Sequence, residues 1–332
     1  MPIEGIGGAV EKAAPLVKFP VLMRIVFPGT LAALCIYPFI HGWTAHVPPM
    51  SFLSSEWGPL IFALGAIYIL GTLVSGLRGL TYRVYSDRLL WPPWLYGKLC
   101  AVQKSRVQRL LDEQERLPEH TPRYAQIWKV LRLYPMNDKG HSYASHPTLL
   151  GNIIAAYEKY PLTRYGMVSV FYWPRLWLLL EKEKKEEIDA SWSLADGLLS
   201  LSAVALVSGL SWAGAAVARL GGFPPPHAGI PLDASLTAGL ASLCLLCLAY
   251  LLYRVSLGFH VRNGETFKAV FDLYRKELSP MLKPGNEETA RQMDQWRQTW
   301  AYLQYLATEE ENAKIPPQPT LVATNAQPPQ KK

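Results

Sequence analysis

The chain has no charged residue in the middle of any of its four long apolar stretches, no basic residue in the two short loops joining them in pairs, and, from Tyr82 to Asp189, no convincing run of alternating polar and apolar residues. The last absence argues against a β-rich fold, because a half-buried strand needs period-two alternation. The first removes the usual mark of an ion or proton path, since a charge at mid-bilayer is costly and is kept only for use. The second orients the chain, as set out below.

Cysteine is scarce too. Cys35, Cys100, Cys244 and Cys247 fall in apolar stretches or in the polar segment between them, so no disulfide framework is expected. Cys244 and Cys247 have the spacing of a redox or metal pair, but among leucines each behaves as a small apolar residue. His41 and His46 share one loop and His141 and His146 another, in both cases without acidic or cysteine partners at ligand spacing. There is no Gly-x-Ser-x-Gly elbow, no phosphate-binding glycine loop and no His-Glu-x-x-His pair. The expectation is a non-enzymatic protein with no catalytic residue, no cofactor and no metal.

The apolar stretches run from Val21 to Ile40, Trp57 to Leu80, Gly197 to Leu220 and Leu236 to Tyr253. A hydrocarbon core about 30 Å thick needs about 20 helical residues at about 1.5 Å each, which each stretch approaches. The loops His41 to Glu56 and Gly221 to Ser235 hold none of the 33 Lys and Arg residues. Lys12, Lys18, Arg24, Arg78, Arg83, Arg88, Arg254 and Arg262 all flank the opposite ends, so both termini and the central segment are expected in the cytoplasm. Arg219 is the one exception, and its stem can lie along the helix while its head reaches the lipid headgroups. A cleaved signal peptide fits poorly: the first stretch begins after residue 20, contains Pro28 and Pro38, and runs into HGWTAHVPPM. The net charge of +7 follows from this topology without a nucleic-acid partner; the bilayer itself is the partner expected.

These features predict an all-α polytopic membrane protein with four transmembrane helices and a cytoplasmic helical bundle. The expected divisions are an N-terminus (1–20), a first hairpin (21–80), a cytoplasmic segment (81–192), a second hairpin (193–256), C-terminal helices (257–312) and a disordered tail (313–332) rich in Pro and Gln. In the central segment the spacing predicts an amphipathic helix from Leu95 to near Leu117, a shorter one from Pro122 to Leu133, and a third starting at His146-Pro147 and ended by Pro161. The charge run Glu181 to Glu187 reads as a solvated helix entering the third span. Glu265 to Met281 and Glu287 to Glu311 read as two further helices, the latter carrying Trp296 and Trp300.

The aromatic passage Tyr165 to Trp177 is the most unusual polar-side feature. Trp173, Arg175 and Trp177 could form a coupling element at the membrane interface, with Arg175 pairing a phosphate or Glu158, or the same residues could be the core of the bundle. The ordered set Leu150-Gly151-Asn152-Ile153, Ala156-Tyr157-Glu158, Tyr160, Arg164-Tyr165-Gly166 and Trp173-Pro174-Arg175-Leu176 resembles a signature of uncharacterised bacterial membrane proteins with paired spans around a cytoplasmic segment. That resemblance implies bacterial inner-membrane placement and carries no catalytic role to any residue.

Small residues mark the spans. Gly58, Gly65, Thr72, Gly76 and Gly79 follow at steps of seven, seven, four and three along the second. In the third, Gly197, Ser200, Ser208, Ser211, Ala215 and Ala218 fall within about 80 degrees when about 100 degrees is allotted per residue, with Val204 the one larger member. Such stripes let helices approach closely, as in a homo-oligomer; the serines could also face a narrow aqueous path. Asp196 is expected at the cytoplasmic end of the third span, within reach of Arg24, Arg78 or Arg254. The leading functional expectation is an oligomeric pore or channel-like effector governed by the cytoplasmic domain. The alternative is a membrane-anchored scaffold recruiting a cytoplasmic protein partner near Trp296 and Trp300 or near Trp173.

Overall fold

The structure, a computed structural model, describes residues 19–44, 58–86, 91–137, 140–220 and 234–281. Contacts divide the chain into two units, Met1–Ser279 and Pro280–Lys332; the expected helix from Glu287 to Glu311 and the tail lie outside the described residues. The described part is nearly all helical, 87%, with no strand, and four of its helices are long and apolar enough to cross a membrane.

The first spanning helix, α1, opens as one α-turn, Phe19–Val21, passes through a π-helical stretch, Leu22–Val26, and continues as Phe27–Thr44. Proline explains the wide turn. Pro28 has no N–H for the carbonyl four residues earlier, and its ring crowds that carbonyl, so the ladder slips and the Phe27 N–H bonds Leu22 O five residues back. Helix α2, Gly58–Gly76, is joined through Leu77 alone to α3, Arg78–Ser86. The intervening segment supplies α4 (Pro93–Arg116), α5 (Pro122–Leu131), α6 (Leu149–Tyr165) and α7 (Ser169–Leu179). Two long helices complete the chain, α8 (Lys182–Leu220) and α9 (Ala234–Met281).

The two hairpins are held by glycine and serine. A Cβ on Gly29 would stand 2.1 Å from Ile67 O, and one on Gly71 2.1 Å from Ile25 O, so α1 and α2 touch backbone to backbone. Gly197 does the same for α8 and α1, where a Cβ would meet Met23 O at 2.5 Å. Between α8 and α9, the Ser202 hydroxyl donates to Ala249 O (2.8 Å) and Ser242 to Gly209 O (2.8 Å). With apolar lipid outside, such close packing and cross-helix hydrogen bonds supply the association that hydrophobic burial cannot.

Beyond the spans, α4 and α5 enclose a small core of Val107, Ile127, Leu131, Tyr134 and Ala144. The predicted amphipathic helices thus appear near their expected places, but α6 differs at both ends. It starts at Leu149 with Thr148 as its cap, accepting from the Gly151 N–H at 3.1 Å, instead of at His146-Pro147. Pro161 does not end it: the proline is buried inside the helix, which runs one more turn to Gly166, whose positive φ of 67° closes it. Pro174 likewise sits inside α7.

The charge run is helical as expected, with Lys184 bridging Glu181 at 3.3 Å on the exposed surface. It is not a separate element. Residues 182–220 form one helix of 39 residues and residues 234–281 one of 48, so each passes from apolar span to polar segment without a break. At about 1.5 Å per residue these are rods of roughly 58 and 72 Å. The expected boundaries at 192/193 and 256/257 both fall inside them.

Candidate functional site

Where the apolar stretches give way to polar sequence, one carboxylate gathers the helices. Asp196 of α8 is buried, its side chain 7% exposed. Its Oδ2 accepts from Arg24 of α1 (Nε 3.2 Å, with Nη2 at 3.1 Å) and from Arg78 of α3 (Nη1 2.9 Å). Its Oδ1 takes the Tyr82 hydroxyl at 2.7 Å. That hydroxyl also lies 2.9 Å from Nε2 of His260 on α9, whose Nδ1 is 2.8 Å from Ser256 O. Arg24 also reaches Asp189, two turns away along α8, at 3.0 Å.

Local sequence explains the convergence. Arg78 and Tyr82 are four residues apart, and Asp189 and Asp196 seven apart, so each pair shares a helix face. Arg24 lies inside the π-helical stretch that Pro28 imposes. Burial and the Asp196 carboxylate together hold the Tyr82 phenol far above the ordinary tyrosine range, so it serves as a neutral donor. Tyr157, packed nearby, is also raised, mainly by burial.

Of the residues expected at this interface, the structure brings Asp196 together with both Arg24 and Arg78. Arg254 is exposed and takes no part. Tyr82, His260 and Asp189 were not foreseen. The four-residue step from Arg78 to Tyr82 was a usable signal; for His260, which lies 64 positions from Asp196 along the chain, nothing local pointed to it.

Trp173, Arg175 and Trp177 sit elsewhere. The Trp173 ring lies 4.5 Å from Phe267, 6.3 Å from Phe271 and 6.3 Å from Trp192, with Trp177 at 5.8 Å. It is thus the wedge joining α7 to both long helices. Among the described residues Arg175 pairs with no carboxylate: its guanidinium stacks over the Phe171 ring at 3.7 Å and bonds Phe171 O, not Glu158. The Tyr160 and Tyr165 hydroxyls both donate to Asp272, at 2.9 and 2.6 Å. Asn152 is fully buried, accepting from the Ser145 and His146 N–H groups and donating to His146 O and Thr148 O.

The small-residue faces divide. Ser200 is buried, Ser208 and Ala215 are half-buried, and Ser211 is exposed with its hydroxyl on Val207 O at 2.9 Å. Gly65, Thr72 and Gly76 are all exposed, and a Cβ on Gly65, Gly76 or Gly79 would meet nothing within 4 Å. Gly58, the first member of the predicted stripe, is buried, while the backbone contact with α1 belongs to Gly71, which lies off that stripe.

No family model, curated protein or solved structure matches this chain. The resemblance noted above therefore rests on its own residues, and in the fold those residues are structural: Asn152 staples a loop, Tyr160 and Tyr165 hold Asp272, and Trp173 fills the seam.

A groove of about 490 Å³ lies between the polar halves of α8 and α9, lined by Ile188, Trp192, Phe259, Val270 and Leu273 with Lys184, Glu187 and Arg262. Among the described residues no cluster of His, Cys, Asp and Glu has the arrangement to hold a metal ion.

Proposed function

We propose that this is a multi-pass protein of the bacterial inner membrane, with both termini and the intervening segment in the cytoplasm, that assembles as a homo-oligomer and acts as a non-enzymatic, channel-like effector governed by its helical domain. The open face of α2 carries this reading. Gly65, Thr72 and Gly76 leave room for a second helix that the described residues do not provide, while the hairpin closes through Gly29 and Gly71. Such a face is suited to a neighbouring copy. The long helices add the coupling: a force on α7 at Trp173 passes through Phe267 and Trp192 to rods that continue into the spans.

The path, in this reading, lies between subunits, since Ser200 and Ser202 are buried within one chain and Ser202 is spent on Ala249 O. A cysteine at Thr72 or Gly76, in a chain whose four native cysteines are replaced, should form disulfide-linked dimers in membranes. A water-soluble thiol reagent should reach cysteines at Ser208 and Ser211, and the protein in liposomes should pass ions. A monomer in mild detergent, with no cross-link and no flux, would overturn the proposal.

One observation favours the scaffold instead. The groove between α8 and α9 is apolar within and charged at Lys184 and Arg262, a shape that suits a partner's side chains. The Trp173 version of that alternative is weakened, because that ring is already packed; Trp296 and Trp300 lie outside the described residues. A stoichiometric foreign protein after mild extraction, lost on Arg262→Glu, would support the scaffold.

A further inference from the structure

The hydrogen bonds around Tyr82 can be counted, and one hydrogen is missing. Three contacts run in series: Asp196 Oδ1 to Tyr82 Oη (2.7 Å), Tyr82 Oη to His260 Nε2 (2.9 Å), and His260 Nδ1 to Ser256 O (2.8 Å). The chain begins at a carboxylate and ends at a carbonyl, and neither can donate. Every contact needs its own hydrogen, yet the neutral phenol brings one and a neutral imidazole one. Whichever tautomer the ring adopts and whichever way the hydroxyl turns, one contact sets lone pair against lone pair.

We propose that the Asp196–Tyr82–His260 relay is a single-proton binding site: uptake of one proton at His260 supplies the third hydrogen and locks α3, α8 and α9 together. The step is imidazole plus hydronium giving imidazolium and water, with no other bond made or broken. Asp196 is the other possible host for the proton, but Arg24 and Arg78 both bond its Oδ2 and favour the carboxylate. Among the described residues the titratable group against His260 is Tyr82 of α3, with Asp196 of α8 behind it; Arg24 of α1 and Arg78 of α3 pair with Asp196, Asp189 of α8 pairs with Arg24, and Tyr157 of α6 acts on Tyr82 and Asp196. Two arginines balance two aspartates, so the added proton leaves the cluster with one positive charge. Arg78, with its side chain 44% exposed, is the partner of Asp196 that lies open at the surface. The site stands independently of any conducting assembly, because what it controls is the joint between helices of one chain.

The test is a pH titration of full-length protein in nanodiscs with ¹⁵N-labelled histidine, from about pH 8 to about pH 5, either side of the ordinary imidazole value of about 6.5. His260 should pass from one protonated ring nitrogen to two, and spin labels on α3 and α9 should report loss of relative motion over the same range. Tyr82→Phe, which keeps the ring and removes the hydroxyl, should abolish the pH response of the labels. The His260 signals are assigned by their loss in His260→Gln or, if that variant does not fold, by their selective shift in Tyr82→Phe. An imidazole that stays neutral throughout overturns the proposal. So does an infrared carboxylic-acid band lost in Asp196→Asn, which would place the proton on Asp196, or a protonation that leaves the α3–α9 labels unchanged.

Discussion

Gly29 and Gly71 meet with no side chain between them, each placing the space for a Cβ 2.1 Å from a carbonyl oxygen of the facing helix. The first hairpin is therefore set by backbone contact, and its sensitivity should be confined to those two positions.

Gly71→Ala should push α1 and α2 apart and lower stability by roughly 1–3 kcal/mol, the usual cost of overpacking. Gly65→Ala, with nothing within 4 Å, should leave the single chain's thermal unfolding in detergent unchanged and alter self-association instead. Equal losses from both substitutions would contradict this division.

Asp196→Asn keeps the size of the side chain and removes the charge that two arginines share. Breaking a buried ion pair costs about 3–5 kcal/mol when both partners are enclosed; with Arg78 44% exposed, about 2–3 kcal/mol is expected. Arg24→Gln should cost more than Arg78→Gln, because Arg24 is the less exposed, at 24%, and also holds Asp189. Chemical unfolding of the three variants in one detergent gives the order.

Asn152→Ala should destabilise by about 2–4 kcal/mol, since it leaves two backbone N–H groups and the His146 carbonyl without their side-chain partner, while Thr148 O keeps the backbone N–H of residue 152. Asn152→Asp makes a sharper test. Its carboxylate can accept from Ser145 and His146 but has no hydrogen for the two carbonyls. Burial beside them would raise its pKa above the unfolded value of about 3.9, so its stability deficit should shrink on acidification and grow as pH rises above about 4. A deficit independent of pH would count against the carbonyl contacts.

Alkaline stability should report the buried phenols. Tyr82 and Tyr157 are both raised, chiefly by burial, so above about pH 10 the unfolded chain loses protons that the folded chain keeps. Stability is then complete below that pH and falls as pH climbs through it. Tyr157→Phe and Tyr82→Phe should each flatten the fall, measured as unfolding midpoint against pH.

The four spans, their pairing and the amphipathic helices of the middle segment were legible in the sequence because each rests on local periodicity and on apolar runs of membrane length. Asp196 and Arg78 could be named because both are charges at the ends of such runs. Other features needed the fold. Pro161 reads as a helix end from its own chemistry, yet it lies buried inside a helix that continues past it. The stripe of Gly65, Thr72 and Gly76 has helical spacing, but spacing defines a face without saying what lies opposite, and the contact with α1 went to Gly71.

The sequence by itself determined where this chain turns apolar, how long each helix can be, and which charges stand at the boundary, because those follow from solvent preference residue by residue. Only the tertiary structure decided that Arg24, Arg78, Tyr82, Asp196 and His260 share one site. They come from four separate helices, and each helix periodicity fixes a face but not the partner across from it. Helix packing sets that partner, through Gly29, Gly71 and Gly197 with no side chain in the way and through Ser202 bonded to the opposing backbone.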